Sequence, residues 1–170
     1  MKKIFFYICV VCIMSFGFYK LTINSIPKIV YGVFHYKIVN NQNVKDNEIK
    51  HFDIPSDKER NVVMPNPDFL YSISFYDLSK GEVNLKGTMP DSTYWSVAFY
   101  KPNTINWYVK NDREFKTNQL DLKLSLVDND EKTIKSPVKK GFMIIRMLVE
   151  KKDQKSIDHF KSFQQSIKLN

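Results

Sequence analysis

Sixteen consecutive residues without a charge, Ile4 to Tyr19 (IFFYICVVCIMSFGFY), constrain this chain more than any other feature. As a helix they rise about 24 Å, short of the ~30 Å hydrocarbon core of a bilayer. Continuing through Lys20-Leu21-Thr22-Ile23 completes a span, provided Lys20 carries its amine to the interface on its aliphatic stem. The run therefore reads as a transmembrane anchor over residues 1–23, meeting the lipid bilayer through residues 4–23. A cleavable signal peptide is the rival reading, but no small residues suited to positions −3 and −1 follow the run. The only two cysteines, Cys9 and Cys12, lie inside it. Their C-x-x-C spacing suits a redox pair or half a zinc site, which need a polar setting and partners elsewhere; here they read as small apolar fillers. Neither follows a small residue, so a lipoprotein signal fits poorly, and no disulfide staples the rest of the chain.

Flanking charge orients the span only weakly. Lys2 and Lys3 precede it, and Lys20, Lys28 and Lys37 follow, so the positive-inside rule is nearly balanced. The short basic tail suits a signal-anchor start. The expected placement is a single-pass protein of the bacterial inner membrane, with its C-terminal domain in the periplasm. Pro27 can open a second, short helix, because Ile29, Val30, Val33, Phe34 and Ile38 recur at near-helical spacing. With the polar stretch Asn40–Glu59 this gives a juxtamembrane helix and connector over residues 24–59.

Strand signals accumulate over residues 60–170. Leu70–Tyr76 is rich in aromatic and aliphatic residues and runs into the turn chemistry of Asp77–Gly81. Val83–Lys86, Tyr94–Tyr100 and Trp107–Val109 follow, separated by breaks at Pro90-Asp91, Pro102-Asn103 and Asn111-Asp112-Arg113. Leu120, Leu122, Leu124 and Leu126 alternate strictly, as one face of a half-exposed strand should. Phe142–Val149 (FMIIRMLV) is an apolar run interrupted by one arginine, and an amphipathic helix is predicted after Asp153. Short strands spaced by turns, without alternating helices, predict a mainly β chain built as an antiparallel sandwich or barrel.

The formal charge of +8 raises the question of nucleic acid. Basic residues are spread along the chain, with only the short pairs Lys139-Lys140 and Lys151-Lys152 beyond the N-terminal Lys2-Lys3, and none interleaves with aromatics as a stacking platform does. Beyond residue 23 the balance is 23 Lys+Arg against 18 Asp+Glu, a surplus of five that suits an anionic membrane surface. No nucleic-acid partner is expected.

The strand-rich half is recognisable as a pattern. Pro65-Asn66-Pro67-Asp68-Phe69-Leu70-Tyr71-Ser72, followed by Tyr76-Asp77-Leu78-Ser79-Lys80-Gly81, resembles the N-x-D-x-x-Y-S … D-L-S-x-G core of the bacterial "domain of unknown function 1254" family. The likeness continues through Met89-Pro90-Asp91, Tyr94-Trp95-Ser96-Val97, Asn106-Trp107-Tyr108 and Asn111-Asp112-Arg113, and closes with Gly141-Phe142 and Arg146. It spans Val62 to Val149 and is closest to the short, membrane-anchored members. The resemblance implies an immunoglobulin-like β-sandwich and an envelope location. It also implies that a companion jelly-roll domain, fused in long members, is here absent or carried by another chain. It brings no established reaction. Many long members have a small hydroxyl residue where this chain has Phe69.

Candidate site residues follow from charge and aromaticity. Asp68 and Asp77 are nine residues apart across a strand; they can act as a carboxylate pair or as turn formers that bind nearby amides. Arg146 on an apolar strand is expected to be buried and ion-paired, with Asp77, Asp68 or Asp112 as partner. The sharper alternative places Arg146 and Arg113 in a cleft with Tyr71, Tyr94 and Trp95, binding an anionic or carboxylated ligand. His35, His51 and His159 share no metal-ligand spacing, and G-x-S-x-G, H-E-x-x-H and Gly-rich phosphate loops are absent from the sequence. No cofactor or metal is expected. Two functions remain: a non-catalytic, membrane-anchored module for a ligand or partner, which predicts an exposed aromatic patch or sheet edge, and a subunit of an enzyme completed by the companion domain, which predicts Asp68, Asp77, Arg113 and Arg146 in one cleft.

Overall fold

The computed structural model describes residues 2–42, 44–56, 65–128 and 132–170. Its first element is one helix, α1 (Lys2–Gln42, 41 residues), which continues through Pro27. A second helix starting at Pro27 is therefore not formed. The missing proline N–H deprives one carbonyl, that of Ile23, of its helical partner, and one lost bond does not end a helix that is complete on both sides. In its first half the helix buries little: Ile4, Phe5, Ile13 and Leu21 are all more than half exposed. The helix is long and apolar enough to cross a membrane.

Among the described residues nine strands follow, in two sheets. They are β1 (Ile49–Phe52), β2 (Phe69–Asp77), β3 (Val83–Thr88), β4 (Trp95–Tyr100), β5 (Asn106–Asn111), β6 (Gln119–Ser125), β7 (Thr133–Lys135), β8 (Lys140–Leu148) and β9 (Lys168–Leu169). A five-stranded sheet has the order β1-β2-β8-β4-β5 and is antiparallel throughout. The four-stranded sheet has the order β7-β6-β3-β9 and is mixed, because β7 runs parallel to β6. The expected connector thus contributes a strand, β1; its part from 57 to 59, and the expected domain start at residue 60, lie outside the described residues. With 41 residues in α1 and 13 in the C-terminal helix α2 (Gln154–Ser166), helix occupies as much of the described chain as strand, so "mainly β" does not hold for the chain as a whole.

The side-chain period of two sets the main core. Leu70 and Tyr76 of β2, Trp95, Val97 and Phe99 of β4, and Met143, Ile145 and Met147 of β8 face Val83 and Leu85 of β3 and the alternating Leu120, Leu122 and Leu124 of β6. α2, capped where Asp153 accepts from the Ser156 N–H (2.9 Å), adds Ile157, Phe160 and Phe163. Its buried Gln164 donates to the carbonyls of Phe52 (3.0 Å) and Tyr71 (2.9 Å), which clasps β1 to β2.

The opposite face of the five-stranded sheet is also covered, but over only part of its length. Tyr31, Phe34, Ile38 and Val39, on one face of α1, pack against Ile73, Phe75 and Phe142, with Phe52, Tyr100 and Ile144 at the margin. Phe34 lies 5.5 Å from both Phe75 and Phe142, and Tyr100 stacks on Phe142 at 4.7 Å. The helix that is apolar enough for a membrane is the same rod that docks on the domain.

Gly141 of β8 pairs with Tyr76 of β2. A methyl group there would lie 2.6 Å from the Tyr76 ring and closer still to the Tyr100 carbonyl, and neither the ladder nor the packed ring can withdraw. Gly141→Ala should therefore destabilise the fold by ~2–3 kcal/mol. The expected readout is a lower urea midpoint with the slope unchanged; an unaltered midpoint would contradict this packing.

Candidate functional site

Strand register brings the expected site residues together on the uncovered part of that outer face. In the row beyond the α1 footprint, Tyr71 of β2 pairs with Arg146 of β8, and Arg146 pairs with Ser96 of β4. Facing positions in paired strands stand about 5 Å apart on one side of the sheet. The pattern FMIIRMLV now has a cause. Phe142, Ile144 and Arg146 all point outward; α1 packs on the first and borders the second, and its footprint ends before the third.

Arg146 is consequently exposed rather than buried, which corrects the expectation of an internal ion pair. Its Nε donates to the Ser96 hydroxyl at 2.8 Å and its Nη2 to the Tyr94 phenol oxygen at 3.2 Å. The guanidinium carbon sits 5.7 Å from the ring centres of both Phe69 and Tyr94, within cation–π range. Phe69 meets Tyr94 edge-on at 6.1 Å and Tyr71 at 6.2 Å, so three rings surround the arginine. Burial acts to raise the Tyr94 phenol pKa, but hydrogen bonds from Ser96 and Arg146 and the arginine charge outweigh it and leave the group below its ordinary value. Burial pushes the Tyr71 phenol up.

None of the three carboxylates expected to receive Arg146 does so. Asp68, at the start of β2, is held by Lys152 at 2.8 Å. Asp77, at the far end of the same nine-residue strand, is held by Lys140 at 2.7 Å. Asp112 makes no ion pair with Arg146 among the described residues and sits on the 3₁₀ turn Asp112–Glu114 with Arg113. Arg113 is exposed there, outside the hydrogen bonds of the Arg146 cluster. Trp95 is not in the cluster either: the pleat turns it inward, 2% exposed, with its indole N–H donating to the Pro90 carbonyl at 3.0 Å. Of the predicted residues, Tyr71, Tyr94 and Arg146 meet, Asp68 borders them, and Asp77, Trp95 and Arg113 do not.

Sequence reasoning did not pick out Ser96 or assign a role to Phe69. Phe69 carried a signal as the departure from the family pattern, whereas Ser96 becomes visible only once β4 is known to pair with β8. It also missed a second polar group at the Asp77 end. There a cleft of about 280 Å³ between α1 and the sheet is lined by Tyr31, His35, Asp46, Phe75, Tyr76 and Lys140. Asp46 lies 3.4 Å from His35 and 3.8 Å from Lys140, so a chain of polar contacts joins the last part of α1 to Asp77. Among the described residues, no three His, Cys, Asp or Glu side chains are placed to hold a metal ion.

Hydrogen bonds from the Lys140 ammonium, then from the Ser79 hydroxyl and N–H, hold the Asp77 carboxyl far below the usual carboxylate range, against the opposing effect of burial. The unfolded chain therefore takes up a proton at this site at higher pH than the folded one. The stabilisation is fully present above the unfolded value near 4 and is lost as pH falls through the folded value. Asp77→Asn should cost ~1 kcal/mol at pH 7, because Lys140 is more than half exposed, and should flatten the acid limb of stability against pH. Urea denaturation of both proteins at pH 7 and pH 3 measures this; equal acid slopes would contradict the assignment.

Comparison with known proteins places these features in a wider set. Residues 47–170 match the family described as "Protein of unknown function (DUF1254)". No curated protein sequence matches the chain. Similar solved structures include the VPA0106 protein from Vibrio parahaemolyticus, with a TM-score of 0.62 at 11% identity, and an uncharacterised protein from Burkholderia cenocepacia, with 0.53 at 13%. The likeness covers 85% and 78% of this chain but only 34% and 38% of theirs, so this chain spans little more than a third of either. Such identities carry the fold alone. Residues 47–170 make up less than three quarters of the chain, so the 85% covered in the Vibrio structure takes in part of the segment before them.

Proposed function

The chain belongs to the DUF1254 family of proteins of unknown function, and from that premise we propose that it is a membrane-tethered, non-catalytic binding module of the bacterial envelope. α1 crosses the inner membrane through residues 4–23, and the domain, an immunoglobulin-like sandwich in this reading, stands on the periplasmic side. One observation carries the non-catalytic part: Asp68, just before β2, and Asp77, at its far end, do not form a carboxylate pair but are each engaged by a lysine. Nine residues at ~3.3 Å each put them about 30 Å apart along the chain, too far for one reacting group. What the domain presents instead is the open row of Tyr71, Tyr94 and Arg146, bordered by Asp68.

The continuity of α1 supports a fixed tether. Tyr31, the first docked residue, is eight positions beyond Ile23, about 12 Å along the helix. The module is held close to the membrane in one orientation rather than on a flexible leash. A companion of jelly-roll type, which the family resemblance implies, is proposed as its partner.

Fusing a phosphatase that is active only outside the cytoplasm after Asn170, and β-galactosidase in a parallel fusion, tests the placement. Phosphatase activity with silent β-galactosidase is the expected result, in the membrane fraction. The reverse pattern would overturn the envelope location.

A further inference from the structure

We propose that Arg146 is the centre of a carboxylate-recognition site for an acidic residue of a protein partner, with Phe69, Tyr71 and Tyr94 as its apolar surround. The proposal rests on the reading of the domain as a binding module and names what that module binds. A guanidinium carries five N–H donors in a planar fork. In Arg146 the two bonds to Ser96 and Tyr94 employ Nε and Nη2, on one side of the fork. Nη1 has no hydrogen bond to any described residue, so the Nη1–Nη2 end faces outward with donors to spare. That end matches the two oxygens of a carboxylate in parallel hydrogen bonds.

The surroundings favour this occupant over other anions. Ser96 is buried, and its hydroxyl together with the Tyr94 oxygen fixes the fork, so little side-chain freedom is lost on binding. The nearest acid on β2, Asp68, is already engaged by Lys152 and does not occupy the arginine. A lone arginine edged by three rings balances one negative charge, which suits a carboxylate better than a doubly charged phosphate. The Tyr94 oxygen accepts a hydrogen bond from the arginine, and the phenol keeps its own O–H to donate. The row is an open sheet face rather than a pocket, which suits a chain segment more than a small metabolite. The surplus of five positive charges beyond the anchor adds complementarity to an acidic segment.

The chain has only three arginines, Arg60, Arg113 and Arg146, so their Nε–H signals can be followed one by one. The full-length protein, 15N-labelled and held in detergent micelles, is titrated with the peptide acetyl-Phe-Asp-Phe-amide, and separately with inorganic phosphate. The expected result is a saturable shift of the Arg146 Nε signal with the peptide in the millimolar range and none of comparable size with phosphate. Arg146→Gln should abolish the peptide response, and Arg146→Lys should weaken it ~10-fold by losing the fork. Tyr94→Phe, which keeps the arginine, should weaken it ~3-fold or more through one lost hydrogen bond. A linear, unsaturated response, a response that survives Arg146→Gln in a folded protein, or phosphate binding as tightly as the peptide would each overturn the site. None of these results depends on which side of the membrane the fusion reporters place the domain, so the two proposals fail separately.

Discussion

The five-stranded sheet has apolar residues on both faces, and both faces must be covered. The second sheet covers one. The other is covered by the last third of α1, through the packing of Tyr31, Phe34 and Ile38 on Ile73, Phe75 and Phe142. That contact unites a helix long and apolar enough to cross a membrane with a domain that would otherwise expose a broad aromatic surface. Phe142 is its pivot, in ring contact with Tyr31, Phe34, Phe75 and Tyr100 at once. Gly141, immediately before it, leaves the space that lets Tyr76 and the Tyr100 carbonyl approach.

The footprint of α1 then divides the outer face into two regions with different chemistry. Near the helix, polar groups engage one another: Lys140 contacts both Asp77 and Asp46, and Asp46 reaches His35 of α1. Beyond the helix, Arg146 is fixed by a serine and a tyrosine and meets no carboxylate among the described residues. The first arrangement holds the helix to the sheet. The second, in the proposed reading, is the surface left for a partner, and it lies on the face through which the tether is joined.

Much of the domain was legible in the sequence because its strands announce themselves locally. Leu120, Leu122 and Leu124 alternate and face the core as their spacing required, and Asp153 caps α2 where the helix was expected to begin. β1, β7 and β9 were not legible. They have four, three and two residues, and such short segments are strands only because a neighbour pairs with them. Pro27 misled for the opposite reason: its local preference for a helix start was outweighed by uninterrupted hydrogen bonding on either side. Tyr94 and Trp95 are adjacent and similar in character, yet the pleat sends one to the arginine and the other to the core.

The sequence by itself determined the uncharged run suited to a membrane, the faces of the long strands, the turns at Asp77 and Asn111, and the family pattern. Each of these is a property of neighbours in the chain, set by side-chain periodicity and backbone preference. Only the tertiary structure decided that α1 folds down onto β2 and β8, and how far along them it reaches. That reach is a sum of contacts between residues more than thirty positions apart, for which local periodicity holds no information. It made Arg146 an exposed group rather than a buried one, while the equally non-local pairing of β4 with β8 set Ser96 beside it.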